Sequence, residues 1–386
     1  MTLALLSFGA VQSHVYLFVG ILWVAALAVL GLVETIRTSR LSVATAAYIA
    51  ISSIAVLVDY KLALGILAAG WGWFATRKFA LKAIPFLRFL IIVGVLEAIL
   101  GLVQYFVAPG WIFGYHNPFY SSSGTLINHN HFAGLLEMIV PATVGLAFAS
   151  IMRGRDTARG YLYLFLGAFI SIAIVFSTSR MGLFSCLLTL LFLGGALRLK
   201  STRQGSTAMV LVVVGLVVAG ALWIGSDIIV ERFAALTGQD ALLQDGRFTV
   251  FGDTLKMIAA HPLGVGVGNY RDAFRQHQTW HPELLMDHAH NDYLETAAEW
   301  GILPAAVCWI VVLVILGRAF RSFLRTQSVE RTTILLASMG AIFSILLHSF
   351  TDFNLQIPSN AMLFFMFVGI AAQASASKPF PIAEHS

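Results

Sequence analysis

Apolar residues along this chain fall into runs of about twenty, the length needed to cross the hydrocarbon core of a bilayer. Eleven such runs are readable, at roughly 15–35, 41–58, 62–76, 86–107, 132–151, 160–177, 181–198, 207–225, 291–317, 332–350 and 359–374. The strict alternation of a membrane β-strand is missing, and Val210 to Val218 carries no polar residue at all. The pattern predicts an all-α, polytopic transmembrane helix bundle forming a single integral membrane unit over residues 1–386. The first run has no basic segment before it and no small-residue cleavage site after it, so it reads as a retained span. Two connections are long. Residues 108–131 are rich in turn formers and aromatics, and 226–290 is the one sizeable extramembrane loop. Within that loop Phe248, Phe251, Leu255 and Ile258 recur at helical spacing, which suits a helix lying on the membrane surface or capping the bundle.

Composition agrees. Of the residues 58% are hydrophobic and 11% charged, against about 25% charged in a soluble domain. The net charge of +5 does not point to nucleic acid; the placement of the charge is what informs. Basic residues cluster in every second connection: Arg37 and Arg40; Arg77, Lys78, Lys82 and Arg88; Arg153, Arg155 and Arg159; Arg198, Lys200 and Arg203; Arg318, Arg321, Arg325 and Arg331. Lysine and arginine are retained in cytoplasmic loops, so these connections are cytoplasmic and the 226–290 loop is external. Cys186 and Cys308 fall inside spans and read as small apolar residues, with no disulfide or thiol nucleophile.

The polar residues that bear on chemistry lie on the external side. Arg180 ends the turn Ser177-Thr178-Ser179-Arg180 between two spans, where it is either a snorkelling helix-end charge or a binding group. Arg247 starts the amphipathic stretch. Its loop holds eight acidic and five basic residues from Asp227 to Asp287, so an anion there needs specific arginines rather than a general basic field. Arginine suits phosphate because its planar fork donates in pairs and stays charged. His288 and His290 enter the 291–317 run, and a histidine at a helix end suits a general base near neutral pH. If the helix runs through both, two positions turn their side chains about 200° apart. Asp292, Glu295 and Glu299 follow on one helical face, and Glu97 and Glu137 lie inside other spans; carboxylates within spans need a partner or a wet cavity. His129 and His131 with His288 and His290 form a conceivable zinc set, but nothing fixes a fourth ligand or the geometry, and no metal is expected. Pro262 to Gly268 mimics a dinucleotide fingerprint without the strand–turn–helix unit that would support it, and reads as a glycine-permitted turn.

Taken in order, several motifs resemble the O-antigen ligase family, which also includes O-antigen and exopolysaccharide polymerases. They are Asn128-His129-Asn130-His131-Phe132-Ala133-Gly134, Ser177 to Arg180, Gly246-Arg247, Pro262 to Asn269, His290-Asn291 followed by Gly301, and His348 to Asn354 with Pro358. The resemblance runs from about Gly124 to about Ala372. Members often have twelve spans, so it implies eleven or twelve here. It further implies a glycosyltransferase in the bacterial inner membrane with its site facing the periplasm. The donor would be an undecaprenyl-pyrophosphate-linked glycan, and the acceptor lipid A-core or another lipid-linked glycan. By the same resemblance His290 is the catalytic residue and Arg180 and Arg247 hold the pyrophosphate. His288, Asn291, Glu295, Glu299, His131 and His348 stand as supporting residues, and no cofactor is implied.

The residues alone also admit a membrane transporter of a small anion or solute, for which buried carboxylates are equally apt. A transporter places its charges near mid-membrane, often at broken helices. Here the arginines and the histidines gather at one face beside the large loop, which favours an enzyme.

Overall fold

A computed structural model describes residues 83–117, 122–152, 156–200, 246–279 and 286–376. The expected runs at 15–35, 41–58, 62–76 and 207–225 lie outside these residues, as does much of the 226–290 loop. The described elements are α1 (Ala83–Phe106), a two-residue hairpin of β1 (Trp111–Ile112) and β2 (Tyr115–His116), α2 (His129–Met152), α3 (Thr157–Phe176), α4 (Arg180–Lys200), α5 (Arg247–Ala260), α6 (Tyr270–Phe274), α7 (Asp292–Trp300), α8 (Ile302–Arg325), α9 (Val329–His348), a 3₁₀ turn (Asn354–Gln356) and α10 (Pro358–Ala374). Among the described residues α1, α2, α3, α4, α8 and α9 are long and apolar enough to span a membrane, and α10 is a shorter apolar helix. The fold is all-α and the protein is a multi-pass membrane protein.

The bundle is organised around α2. It packs against α1, α3, α4, α9 and α10 and is buried along nearly its whole length. Small residues let the backbones approach: a Cβ on Gly145 would meet the Thr333 carbonyl oxygen at 2.8 Å, and one on Gly340 would meet Pro141 at 2.6 Å. By contrast α8 shows most of its length outward, with Leu303, Val307, Ile310, Leu313 and Val314 exposed, the apolar surface expected of a lipid-facing helix. Pro141 sits inside α2 and has no N–H to give, so the Glu137 carbonyl four residues earlier loses its helical partner.

One sequence expectation is corrected. The single span expected over 291–317 is two helices. Gly301 takes φ of 87° between α7 and α8, a conformation open to glycine. The break is held by the 262–266 turn. Val265 N donates to the Ala298 carbonyl, Gly266 N to the Glu299 carbonyl, and Ile302 N turns away to the Pro262 carbonyl. These bonds take the acceptor that a continuous helix would have given Ile302. Asp292, Glu295 and Glu299 therefore belong to the short helix α7 and do not run into a span. On α5 the apolar stripe is divided between two faces. Phe248 and Leu255 face outward and Phe251 is half-buried, whereas Val250, Asp253, Thr254 and Met257 form the inner face. That inner face contacts Tyr270, Phe274, Ala289 and Ala298 in a small core of its own. Its two polar members, Thr254 bonded to the Tyr270 hydroxyl and Asp253 bonded to Thr279, hide it from a hydrophobic pattern.

Candidate active site

One end of the bundle gathers the histidines and carboxylates of the candidate site. The start of α2, the turn between α3 and α4 and the end of α9 meet there, and His129 Nδ1 donates to the Ser177 carbonyl at 2.7 Å. The turn after α9 carries Asp352, and three imidazoles surround it. His131 Nε2 lies 3.7 Å from Oδ1, His290 Nδ1 3.8 Å from Oδ1, and His348 Nε2 3.9 Å from Oδ2. These distances exceed a hydrogen bond. All three nitrogens and Asp352 Oδ2 are buried without a hydrogen-bond partner among the described residues. Asp352 itself is 1% exposed. Burial works to raise its carboxyl, but the surrounding imidazoles of His131, His290 and His348 outweigh that and hold it well below the usual carboxylate range.

The chain locks His290 in place. Its φ is 50°, in the left-handed region that a side chain with a Cβ occupies at a cost of about 1–2 kcal/mol. Neighbouring bonds impose that conformation. Asn291 caps α7 by accepting from Leu294 N, and its side-chain amide donates to the Phe350 carbonyl at 2.9 Å. Asp292 N donates to the Ser349 carbonyl at 3.0 Å. Residues 290–292 are thus tied to the same turn that carries Asp352, an arrangement that often marks a working site. Because the helix starts only at Asp292, the expected 200° separation of the two histidines does not arise. Both contact the Phe353 ring: His288 stacks on it at 4.1 Å, and His290 meets it edge-on at 4.9 Å, as does His131 at 4.6 Å.

The remaining residues divide clearly. His288 is bound to Glu295, Nδ1 to Oε1 at 2.7 Å, and the second Glu295 oxygen accepts from Ala289 N. Arg247 opens α5, is half-buried and donates from Nη1 to the Thr351 carbonyl at 3.0 Å, one residue from Asp352. His348 Nδ1 faces Glu137 Oε1 at 3.0 Å. Arg180 opens α4 and is exposed; the turn before it contains Thr178 at φ 60° and is held by His129. Glu299 lies at the other end of α7, where it accepts from Gly268 N and Tyr270 N and braces the 262–270 turn. The structure therefore assembles His131, His288, His290, Asn291, Glu295, His348 and Arg247 around residues 349–354. Arg180 stands on a neighbouring helix end, and Glu299 stands apart. With His129 turned to Ser177 and His131 to Asp352, no set of three or more His, Cys, Asp or Glu among the described residues is arranged to hold a metal ion.

Residues 164–310 match the family model for O-antigen ligase. The chain thus shares with the O-antigen ligases the segment that holds Arg180, Arg247, His288 and His290. No curated protein matches the chain. His131, Asp352 and His348 lie outside the ligase-type segment, and the fold brings them to it. The motif His348 to Asn354 contains Asp352 but assigns it no role. The signal that would have found it is the spacing of His348 and Asp352, four residues apart at a helix end.

Proposed function

We propose that this protein is a glycosyltransferase of the O-antigen ligase and polymerase type. It moves a glycan from an undecaprenyl-pyrophosphate carrier to an acceptor hydroxyl, on lipid A-core or on another lipid-linked glycan. The work is done at the periplasmic face of the inner membrane. The observation that carries the reading is Asp352 with His290 beside it and Arg247 on the adjoining carbonyl, at one end of a multi-pass bundle.

The chemistry follows from these groups. The acceptor oxygen attacks the anomeric carbon, and the bond from that carbon to the pyrophosphate oxygen breaks. His290 turns Nδ1 to the Asp352 carboxylate, which favours a proton on Nδ1 and leaves Nε2 to take the acceptor proton. His290 is 28% exposed, so a hydroxyl reaches it. Arg180 and Arg247 receive the charge that gathers on the departing pyrophosphate, a task for guanidinium forks that needs no metal. Transport of a small anion has less support. Glu97 is bound by Thr125 N and Oγ1 and Glu137 by Ser185 and His348, so neither in-span carboxylate is unpaired.

Surface glycan from a deletion strain tests the assignment. Lipid-linked polymer accumulating unattached makes the protein a ligase, and single unpolymerised repeats make it a polymerase. Unchanged surface glycan and unchanged lipid-linked pools overturn the assignment.

A further inference from the structure

Glu137 is a buried carboxylate at this end of the bundle, and the chemistry above leaves it unused. It lies eight residues into α2, about 12 Å below the helix start at 1.5 Å per residue. It is 1% exposed, Ser185 of α4 donates to one of its oxygens, and His348 of α9 meets the other at 3.0 Å. Packing alone is better served by leucine here; a carboxylate at this depth needs a partner or a wet cavity.

What it holds leads back to the reacting groups. His348 has 0% side-chain exposure, and its two nitrogens face two carboxylates, Nδ1 to Glu137 and Nε2 to Asp352. Asp352 in turn faces His290. The contacts run Glu137, His348, Asp352, His290, across α2, α9 and the turn after α9. A carboxylate accepts and does not donate, so a ring held between Glu137 and Asp352 carries a proton on each nitrogen, Nδ1–H toward Glu137 and Nε2–H toward Asp352, and Glu137 thereby fixes the ring.

We propose that Glu137 is a positioning residue for His290, acting through His348 and Asp352. It sets the orientation of His348, His348 sets the side of Asp352 that is left for His290, and Asp352 then directs the His290 base nitrogen outward. Glu137 touches no substrate. The inference rests on the reading of His290 as the base.

The test is Glu137→Gln, which keeps the shape and removes the acceptor-only carboxylate. In purified, folded enzyme kcat falls about 30- to 100-fold, while KM for the lipid-linked donor stays within about twofold, an indirect loss within the range of orienting groups. That split between kcat and KM is the readout that a merely structural role would not move, and a double-mutant cycle tests the route. Glu137→Gln adds nothing to the loss already caused by His348→Asn, because the two act in series. If Glu137→Gln does not fold, Ser185→Ala replaces it, removing the donor that holds the carboxylate, and lowers kcat several-fold by the same route. A kcat within twofold of the wild type in the variant tested overturns the proposal, as do losses that multiply in the cycle. Either result leaves His290 as base untouched if His290→Ala is inactive; an active His290→Ala would instead undo the functional reading itself.

Discussion

Two neighbouring regions bury carboxylates and use them differently. In α7, Asp292 accepts from the Ser349 hydroxyl and from Leu355 N, and Glu299 accepts from two backbone N–H groups. Their lone pairs are spent on holding a turn and a helix start. Around the turn after α9, Asp352 Oδ2 has no hydrogen-bond partner among the described residues, and three imidazole nitrogens stand near the carboxylate just beyond bonding distance. Burial is equal in the two regions, at 0–3% exposure. The difference is whether the polar group is satisfied. A buried carboxylate that is fully bonded is architecture, and one that is nearly but not fully bonded is available for chemistry.

Substitutions sharpen that contrast. Asp352→Asn keeps the shape but can turn an amide N–H toward His290, removing the preference for a proton on Nδ1. Transfer per folded molecule falls by about 10²–10³, within the range of a lost acid–base arrangement, as read in a reconstituted donor–acceptor assay. Arg180→Lys and Arg247→Lys keep charge but lose the fork, and each lowers kcat about 100-fold in the same assay, comparable to losing one transition-state donor. A lysine variant that turns over normally reduces that arginine to a solvated charge. Glu299→Ala strands the N–H groups of Gly268 and Tyr270. It lowers stability by about 1–3 kcal/mol, seen as a lower thermal midpoint, with activity per folded molecule unchanged.

The smallest effect belongs to Asp292→Asn. Burial pushes the Asp292 carboxyl well above its usual range, with Glu295 and Asp352 adding to the rise. The folded protein therefore holds a proton there that the unfolded chain releases, so wild-type stability falls as pH climbs through the raised value. Asparagine removes that decline and leaves transfer within about threefold, a change of under 1 kcal/mol in the barrier. Asp352 has the opposite sign. Its carboxyl is depressed in the fold, so its contribution is present above the ordinary carboxylate range and is lost as pH falls through the depressed value. Thermal midpoints of the two variants across pH separate the two regions independently of any assay of transfer.

Much of the bundle was legible from the chain. Apolar runs of bilayer length gave the helices now numbered α1 to α4, α9 and α10 within a few residues of their ends, because a span must satisfy its own backbone and so announces itself by length. The break at Gly301 was not legible. Apolar character continues through Ile302, and only the pairing with the distant 262–266 turn shows that the helix stops. On α5 the outward Phe248 and Leu255 belong to the apolar stripe the pattern shows, whereas the inner face was not legible because Asp253 and Thr254 line it. At the site, residue types at helix ends marked Arg180, Arg247, His288 and His290 as candidates, and the resemblance singled out His290 among the histidines. The cluster around Asp352 depends on contacts between α2, α9 and the segment before α7, which lie far apart in sequence. His129 likewise looked like half of a metal pair, and its bond to Ser177 makes it a brace for the turn before Arg180.

The central claim is that His290, and not its neighbour, takes the proton. His288 is closed on Glu295 at 2.7 Å, while His290 is set at φ 50° beside a carboxylate it does not fully bond. Rates of glycan transfer from a lipid-pyrophosphate donor by purified His290→Ala and His288→Ala, each checked for folding and donor binding, decide it. The account predicts that His290→Ala loses about 10²–10⁴ in kcat with donor binding kept, and that His288→Ala stays within about tenfold of the wild type, as expected for a residue that only supports the site. A His290→Ala enzyme that transfers at near wild-type rate, or an inactive His288→Ala beside an active His290→Ala, contradicts it.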